Sequence, residues 1–277
     1  MKKAICLILS IAMLLCTCAW GKKDDKDILT KVKEKGYIEV ATEPYWAPNE
    51  FIDPTKTGDD RIIGTDIELA KYIAEKIGVE LKIVPLEFSA VLTGITEGKY
   101  DMAISAIAWS PVREMAMALS DGYEFDESAG YGFLVRAEDV GKYTSIDSLK
   151  DAVVITQSGS VQESIYLQSC NNAKELKRVG SMTDAYLAVA EGKADVCITH
   201  TSSGELYCQS NPALAVQPDF LFETDAKMTA TCVALPLEGS EALMEIVNTC
   251  IAELIAKDQF TEWSNYYKEY ATKLGIE

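Results

Sequence analysis

The chain has 277 residues, and its 43 Asp and Glu residues outnumber its 26 Lys and Arg residues, which gives a formal net charge of −17 at pH 7. This acidity argues against nucleic acid or an anionic membrane surface as a partner. Apolar residues make up 48% of the chain, so the sequence has enough material for the packed core of one large or two medium domains.

The amino-terminal segment predicts an export signal followed by a linker. Two lysines precede an uncharged apolar run at 4–15, which is too short to span a bilayer as a permanent helix. The run leads into Leu-Cys-Thr-Cys, which resembles the bacterial lipoprotein box. We expect 1–18 to be the signal and anchor, with the lipid on Cys18, and 19–27 to be a charged linker. Lipid attachment at Cys16 and plain secretion are the alternatives.

Five of the 8 cysteines lie beyond this segment. Their spacing matches no CxxC or other metal-ligand pattern, and we expect no metal and no cofactor. An odd number of thiols in an exported protein predicts one disulfide with spare thiols, or a reducing habitat. Cys170 and Cys208 are the pair to test for a disulfide, whereas Cys197 and Cys232 lie in apolar runs and should pack as small hydrophobes.

Hydrophobic periodicity and glycine positions predict alternating helices and strands in the first half. A short helix at 28–35 ends at Gly36 and leads into a strand at 37–42, and a loop follows at 43–49. A turn at 53–60 separates two strands. The series continues with a helix at 66–77, a strand at 79–86, a strand at 103–108 and a helix after Ser110.

One short pattern occurs twice. Glu-Gly-Lys-Tyr-Asp-Met-Ala-Ile at 97–104 returns as Glu-Gly-Lys-Ala-Asp-Val-Cys-Ile at 191–198. Each copy predicts a helix, a glycine turn and a buried strand, so two similar halves are expected. Ligands of open α/β sheets collect beyond the carboxyl ends of strands, which predicts a cleft lined by 105–113 and 199–203. Coincidence in a helix-rich protein is the alternative.

The second half predicts another α/β series, which begins with a strand at 130–135 that is broken by Gly132. The series runs to residue 223 and is followed by a strand at 228–235. A helix at 241–256 and an aromatic-rich helix at 260–270 complete the chain.

Two of these strands are candidate crossovers between lobes. If 131–135 and 229–235 connect the lobes, lobe 1 consists of 28–130 plus 232–277 and lobe 2 of 131–231, which agrees with usual domain sizes. Two crossovers form a hinge, and lobes joined in this way close on a ligand as rigid bodies.

The first predicted helix start beside the cleft contains a candidate anion ligand. Ser110 is a suitable N-cap, Pro111 fits the first helical position, and Arg113 lies in the first turn. A cation is unfavourable there, so Arg113 predicts a nearby anion, and a guanidinium binds a carboxylate through two parallel hydrogen bonds. A surface arginine paired with Glu114 or Asp121 is the alternative.

The second helix start follows a predicted strand at 152–156. Ser160 and Glu163 match the Ser-x-x-Glu capping box, and Gly159 permits close approach of a ligand. Backbone donors at this start can bind a second oxygen of an anion, although an ordinary helix cap explains the same residues.

Five stretches carry a joint resemblance: Gly-Thr-Asp-Ile-Glu-Leu-Ala at 64–70, Gly-Lys-Tyr-Asp-Met-Ala-Ile at 98–104, Ser-Pro-Val-Arg at 110–113, Gln-Ser-Gly-Ser at 157–160 and Gly-Lys-Ala-Asp at 192–195. Together they resemble the amino-acid-binding proteins of ATP-driven importers, the bacterial extracellular solute-binding family 3, along essentially the whole mature chain. The resemblance implies an α/β fold of the type II periplasmic-binding-protein class, with two lobes, two crossover strands as a hinge, and a ligand in the interlobe cleft.

The resemblance also implies the ligand contacts. An arginine holds the ligand's α-carboxylate, backbone N–H groups assist it, and an aromatic residue with a polar neighbour covers the ligand's side chain. The corresponding residues here are Arg113, Ala108, Ser160 or Val161, Ala106, Trp46, Glu43 and His200.

Two of these residues depart from the family pattern. Ala108 stands where serine or threonine is common, so a hydroxyl donor is lost. His200, the only histidine, stands where an acidic residue binds the ligand's α-ammonium. A neutral imidazole accepts one hydrogen bond but offers no opposite charge. Either Glu43 supplies that charge, or the ligand lacks a free α-ammonium; a capping or surface histidine is a further alternative.

The resemblance therefore implies a non-catalytic, extracellular binding component of an ABC transporter. It is expected to be a monomer, lipid-anchored on the outer face of the cytoplasmic membrane, that captures a polar amino acid or related small carboxylate and delivers it to a permease and ATPase. A cyclohexadienyl-dehydratase-like enzyme on the same fold, with His200 as general acid or base, and a sensory binding protein are the alternatives.

Overall fold

A computed structural model describes residues 26–125, 130–170 and 172–276 of the chain. The predicted signal, both candidate anchor cysteines and all but the end of the predicted linker lie outside these residues. Within them, no helix has the length and apolar character needed to cross a membrane.

Nine α-helices lie in the described part of the chain: α1 Ile28–Lys35, α2 Thr65–Ile77, α3 Phe88–Thr96, α4 Pro111–Ala116, α5 Val161–Ser169, α6 Met182–Ala190, α7 Thr201–Ser210, α8 Glu241–Ile255 and α9 Gln259–Leu274. Short 3₁₀ helices occur at Asp59–Arg61, Ala137–Asp139, Ile146–Leu149 and Ala226–Thr229.

The strands are β1 Tyr37–Thr42, β2 Tyr45–Trp46, β3 Glu50–Ile52, β4 Ile62–Ile63, β5 Glu80–Pro85, β6 Met102–Ala108, β7 Ala118–Leu119, β8 Glu124–Phe125, β9 Tyr131–Arg136, β10 Val153–Gln157, β11 Glu175–Val179, β12 Val196–His200, β13 Leu214–Val216 and β14 Ala230–Leu235.

The first lobe is built on a sheet with the order β5-β1-β6-β14-β7, and β8 pairs with β14. Strands β1, β5 and β6 are parallel, whereas β14 runs antiparallel to β6. Helices α1, α2 and α8 supply Val32, Leu69, Ile73, Val247 and Ile251 to one buried cluster, and α3 contributes to another. Burying each such side chain contributes roughly 1.5–3 kcal/mol to folding.

The second lobe is built on a sheet with the order β11-β10-β12-β9-β13. Neighbouring residues of β9 point to opposite faces, since Phe133 packs with α5 in one cluster and Leu134 packs with α6 and α7 in another. The two sheets with flanking helices confirm the predicted two-lobed α/β architecture.

Strand β9 is continuous, so the predicted break at Gly132 is wrong. Gly132 pairs with Thr199 in an unbroken antiparallel ladder. The glycine is required by close packing instead, because a Cβ atom there would lie 3.0 Å from Cγ2 of Thr201 and 3.1 Å from the carbonyl oxygen of Phe220.

The chain passes between the sheets before β9 and before β14. Strand β8 pairs with β14 in the first sheet, and β9 pairs with β12 and β13 in the second. The limits of the lobes stay a prediction, with lobe 1 at 28–130 and 232–277 and lobe 2 at 131–231. Strand β14 begins at Ala230, two residues before the predicted limit.

The repeated pattern forms the same local structure in both lobes. It links α3 to β6 in the first copy and α6 to β12 in the second. Gly98 and Gly192 both have left-handed backbones, with φ of 66° and 70°, and a glycine adopts this conformation without the steric penalty of a Cβ atom. The predicted helix, glycine turn and strand are present in each copy.

The segment 43–49, predicted as a loop, contains the short strand β2, which joins β3 and β4 in a small sheet. The predicted turn at 53–60 connects β3 to β4. Helix α9 packs on this sheet, where the rings of Phe51 and Tyr267 meet edge to face with centroids 6.0 Å apart.

The five cysteines beyond the signal are free thiols, and the pair Cys170 and Cys208 forms no disulfide. Cys170 is buried in the cluster on the α5 face of the second sheet, whereas Cys208 packs against the cluster on the α6 and α7 face. The sheet therefore separates the two sulfur atoms. Cys197 and Cys232 are both buried, and Cys197 packs in the cluster on the α6 and α7 face, as predicted.

Candidate functional site

A cavity of about 860 Å³ lies between the two sheets, at the carboxyl ends of β1, β6, β10 and β12. All eight predicted ligand-binding residues line it: Glu43, Trp46, Ala106, Ala108, Arg113, Ser160, Val161 and His200. The structure brings these residues together, as the strand-end argument predicted for 105–113 and 199–203, and their roles in binding stay predictions.

Arg113 is buried in the wall of this cavity. Ser110 caps α4 by accepting a hydrogen bond from the Arg113 N–H, and Pro111 occupies the first turn. The Arg113 side chain is only 7% exposed. Its Nη1 donates to the carbonyl oxygen of Ala108 at 2.6 Å, and its Nη2 donates to that of Gly159 at 3.1 Å. This environment excludes the alternative of a surface arginine.

The guanidinium of Arg113 is a charge without a carboxylate partner in the described part of the chain. Burial lowers the pKa of Arg113 to about 10, so the group remains cationic at neutral pH. Its carbon Cζ lies 5.3 Å from the centroid of the Phe88 ring, which gives a weak cation–π contact. Two carbonyl contacts leave further N–H donors available, because a guanidinium carries five.

Glu43 follows β1 and is only 4% exposed. The Gln157 amide Nε2 donates to Oε1 of Glu43 at 2.9 Å and to the carbonyl oxygen of Gly180 at 2.9 Å. Burial raises the pKa of Glu43 to about 7, opposed by the Gln157 hydrogen bond and assisted by the charges of Glu87 and Asp184. Glu43 can therefore change its charge near neutral pH.

Two further buried carboxyl groups, those of Glu50 and Asp66, lie behind Glu43. Ser105 links Glu43 to Glu50, since its hydroxyl accepts from the Glu43 N–H at 2.9 Å and donates to Oε1 of Glu50 at 3.2 Å. Burial, followed by the charge of Asp66, raises the pKa of Glu50 well above its ordinary value. Burial also raises the pKa of Asp66, while hydrogen bonds from the Ala106 N–H and the Tyr123 hydroxyl oppose this shift.

Asp66 holds a strained part of β6 in place. Its Oδ2 accepts from the Ala106 N–H at 2.7 Å, and its Oδ1 accepts from the Tyr123 hydroxyl at 2.9 Å. Ala106 has a φ of 43°, which is rare for a residue with a Cβ atom and costs about 1–3 kcal/mol. The β14 register shifts opposite this point, between Cys232 and Ala234. Asp66 thus stabilises the bulged wall of the cavity.

His200 ends β12 and is half-buried at the start of α7. Its Nδ1 lies 3.0 Å from the Ser202 hydroxyl. Its ring meets the Tyr131 ring edge to face, with centroids 5.3 Å apart. His200 is the N-cap residue of α7, but its side chain makes no capping hydrogen bond to the helix backbone. The residue lines the cavity.

Ser160 caps α5, but the predicted capping box is displaced by one residue. Ser160 Oγ accepts from the Glu163 N–H at 3.1 Å, as predicted. The Glu163 carboxylate accepts from the Gly159 N–H at 2.7 Å instead of from Ser160, because the Ser160 N–H is bound to the Gln157 carbonyl oxygen. The first N–H groups of α5, including that of Val161, have no intrahelical acceptor.

Trp46 lies in β2 and bridges the lobes. It lines the cavity and also packs against the second-lobe cluster that contains Tyr186 and Tyr207. Its side chain can therefore contact both a solute and the opposing lobe.

Sequence reasoning missed Gln157 and Glu50 as residues of this site, and it placed Ser105 in the cleft-lining segment 105–113 without giving it a role. Gln157 belongs to a stretch that carries the family resemblance, and this was the available signal for it. No group of three or more His, Cys, Asp or Glu side chains suited to a metal ion occurs among the described residues.

Comparison with known proteins assigns the chain to a family. Residues 38–270 match the model of the bacterial extracellular solute-binding proteins, family 3. The L-cystine-binding protein TcyJ of Escherichia coli (strain K12) is 25% identical over 83% of this chain and 82% of its own. Cyclohexadienyl dehydratase of Pseudomonas aeruginosa is 22% identical over 78% of this chain and 79% of its own.

A solved structure supports the same assignment. The amino acid ABC transporter substrate-binding protein AbpA of Streptococcus pneumoniae, bound to L-arginine, superposes with a TM-score of 0.78 at 29% identity, covering 90% of this chain and 99% of that protein. The chain belongs to the bacterial extracellular solute-binding proteins, family 3.

Proposed function

We propose that the protein is the extracellular solute-capturing component of an ABC importer and that it binds a polar amino acid or a related small carboxylate. The buried guanidinium of Arg113, which has no carboxylate partner among the described residues, carries this proposal. The family membership and the arginine-bound AbpA structure support it.

Arg113 would bind the solute's carboxylate. A charge buried without a partner is unfavourable, so an incoming carboxylate relieves a cost that the folded protein already carries. The carbonyl groups of Ala108 and Gly159 fix the plane of the guanidinium, and such preorganisation strengthens binding. Of the backbone N–H groups of Ala108 and of Ser160 or Val161, those of Ala108 and Val161 are the proposed additional donors, because the Ser160 N–H binds the carbonyl oxygen of Gln157.

Glu43 and His200 are the proposed partners of the rest of the solute. An α-ammonium near Glu43 would favour the ionised carboxylate and lower its pKa from about 7. His200 can offer one acceptor to the same group. A solute without an ammonium would instead meet a protonated Glu43 that acts as a hydrogen-bond donor.

Binding is proposed to close the hinge. Arg113 of the first lobe reaches Gly159 of the second, and Gln157 of the second lobe reaches Glu43 of the first. A solute held between these groups contacts both lobes in the closed state and fewer groups in the open state. Binding therefore favours the closed state.

The remaining parts of the proposal concern delivery. The protein is exported, is held by a lipid on Cys18 at the outer face of the cytoplasmic membrane, and acts as a monomer without a cofactor. It hands its solute to permease and ATPase subunits.

An enzymatic alternative is favoured by one observation. Glu43, with a pKa of about 7, lines the same cavity as His200, and a general acid or base needs a pKa near the working pH. A dehydratase acting on a cyclohexadienyl carboxylate would use these two groups. Incubation with such a compound and measurement of new aromatic absorbance tests this alternative, and stoichiometric binding without turnover rejects it.

The binding proposal is tested by thermal shift and calorimetry with the standard amino acids, their N-substituted forms and small organic acids. A ligand bound only by the folded protein raises the melting temperature. Arg113→Ala should abolish the response to carboxylates, whereas Arg61→Ala, which removes an exposed arginine outside the cavity, should retain it. Binding that survives Arg113→Ala would show that the carboxylate lies elsewhere.

A further inference from the structure

The cavity has an inner part and an outer part. The inner part is lined by buried side chains, among them Glu43, Arg113, Gln157 and Ser160. The outer part is lined by exposed residues of α7 in the second lobe and α9 in the first. The total volume of about 860 Å³ lies high in the range of about 300–1,000 Å³ that is usual for sites enclosing drug-sized ligands.

Helix α9 presents one polar face to the outer part. Asp258, Thr261, Asn265 and Lys268 line the cavity, and their spacing of three or four residues places them on one side of the helix. At 1.5 Å per residue this row is about 15 Å long. The outer part is therefore an elongated groove along α9.

Helix α7 lines the outer part from the second lobe in the same way. Ser202, Glu205 and Gln209 line the cavity at intervals of three and four residues, which gives a row about 10 Å long. Because α7 and α9 belong to different lobes, a molecule between them would be held from both sides when the hinge closes.

The outer part carries charges of both signs. Glu205, Asp258 and Lys268 all line it, and none of the three forms an ion pair with another residue in 26–125, 130–170 or 172–276. Asp258 accepts one hydrogen bond, from the Thr261 hydroxyl at 2.7 Å. A head group with both an ammonium and a carboxylate would complement this arrangement.

We propose that the solute is an elongated molecule with an amino-acid head group at each end, the first held by Arg113 in the inner part and the second held between α7 and α9. This inference rests on the proposed function, since it uses Arg113 as the carboxylate site. The outer contacts are exposed to solvent, so they select for length and head-group chemistry more than they add affinity.

Calorimetry with matched probes tests the inference. L-Cystine is compared with S-methyl-L-cysteine, and 2,6-diaminopimelate, which has no disulfide to be reduced, is compared with L-norleucine. Each pair shares the first head group and differs in the second. The long probe of each pair should bind at least about tenfold more tightly.

A variant that fills the groove provides the second measurement. Asn265→Trp places a large side chain on the α9 face, and it should reduce the preference for the long probe over the short probe by about tenfold. Lys273→Trp is the matched control, because Lys273 lies on the same helix, is 67% exposed and is absent from the cavity wall; it should keep the wild-type preference.

The outcomes separate this inference from the proposed function. Equal or tighter binding of the short probes, or an unchanged preference in Asn265→Trp, overturns the inference and leaves carboxylate capture intact. If no probe and no other carboxylate binds, both proposals fail. Tight binding of the long probes that is lost in Asn265→Trp and kept in Lys273→Trp supports the inference.

Discussion

Replacing Glu43 with glutamine should flatten the dependence of stability on pH. Burial raises the pKa of Glu43 from an ordinary value of 4.5 to about 7. The native state therefore holds this proton more tightly than the unfolded state, and the free energy of unfolding falls as the pH rises from 4.5 to 7. At 1.36 kcal/mol for each pH unit, this interval corresponds to about 3 kcal/mol.

Urea denaturation, followed by tryptophan fluorescence at about pH 5 and about pH 8, measures the effect. Glu43→Gln keeps an oxygen that accepts from Gln157 and removes the titration. Between the two pH values, the free energy of unfolding of the variant should fall by about 3 kcal/mol less than that of the wild type. Glu50 and Asp66, whose pKa values are also raised, leave a residual slope in both proteins.

Glu205→Gln is the matched control, because Glu205 lines the same cavity but is exposed. It should reproduce the wild-type slope. If Glu43→Gln lost as much stability as the wild type over this pH range, Glu43 would not titrate near 7 in the folded protein. The proposal that the charge of Glu43 responds to an α-ammonium of the solute would then be refuted.

Three further substitutions test the site and the fold. Asp66→Asn should lower the free energy of unfolding by about 1–3 kcal/mol and weaken solute binding, because the N–H of Ala106 loses a charged acceptor; unchanged denaturation and calorimetry would contradict this role. Gly132→Ala should lower the free energy of unfolding by about 1–3 kcal/mol. Gly130→Ala should be tolerated in the same urea assay, because a Cβ atom there would lie no closer than 3.6 Å to a neighbouring atom. Similar losses of stability in the two variants would argue against close packing at Gly132. His200→Asp should raise the affinity for standard amino acids about tenfold in calorimetry if an opposite charge is what the site lacks, and an unchanged affinity rejects that idea.

Local signals account for the parts of the fold that the sequence predicted well. Gly36 and Gly78 end α1 and α2 in left-handed conformations, with φ of 77° and 81°, and this requirement is visible from the glycine alone. Ser110 and Pro111 similarly mark the start of α4. Such signals need no knowledge of distant neighbours.

The carboxyl groups behind Glu43 could not be predicted in this way. Glu50 and Asp66 lie on different elements, and they meet because the small β3 sheet and α2 both pack beside β6. A glutamate at the start of a short strand and an aspartate in a first helical turn ordinarily indicate solvent-exposed positions. Their burial and the resulting rise in both pKa values depend on the tertiary arrangement alone.

The choice of Cys170 and Cys208 as a candidate disulfide was wrong for a related reason. Cysteine count and spacing do not report which face of a sheet each residue occupies, and α5 and α7 cover opposite faces of the second sheet. The strand break predicted at Gly132 was wrong for the same kind of reason. The glycine is required by close packing against Thr201 and Phe220, and the backbone of the strand is continuous there. In both positions the deciding contacts come from residues distant in sequence.

The charges of the inner cavity link the class of solute to the protonation of Glu43. Arg113 contributes a positive charge to the inner cavity, and Glu43, whose pKa is about 7, adds a negative charge when it is ionised. A carboxylate that lacks an ammonium adds one negative charge, so it should bind with proton uptake and lose affinity as the pH rises past about 7. An amino acid brings an ammonium as well, which favours ionised Glu43, so its affinity should rise over the same range. The sign of this pH dependence, measured by calorimetry, therefore separates a solute with an α-ammonium from one without it.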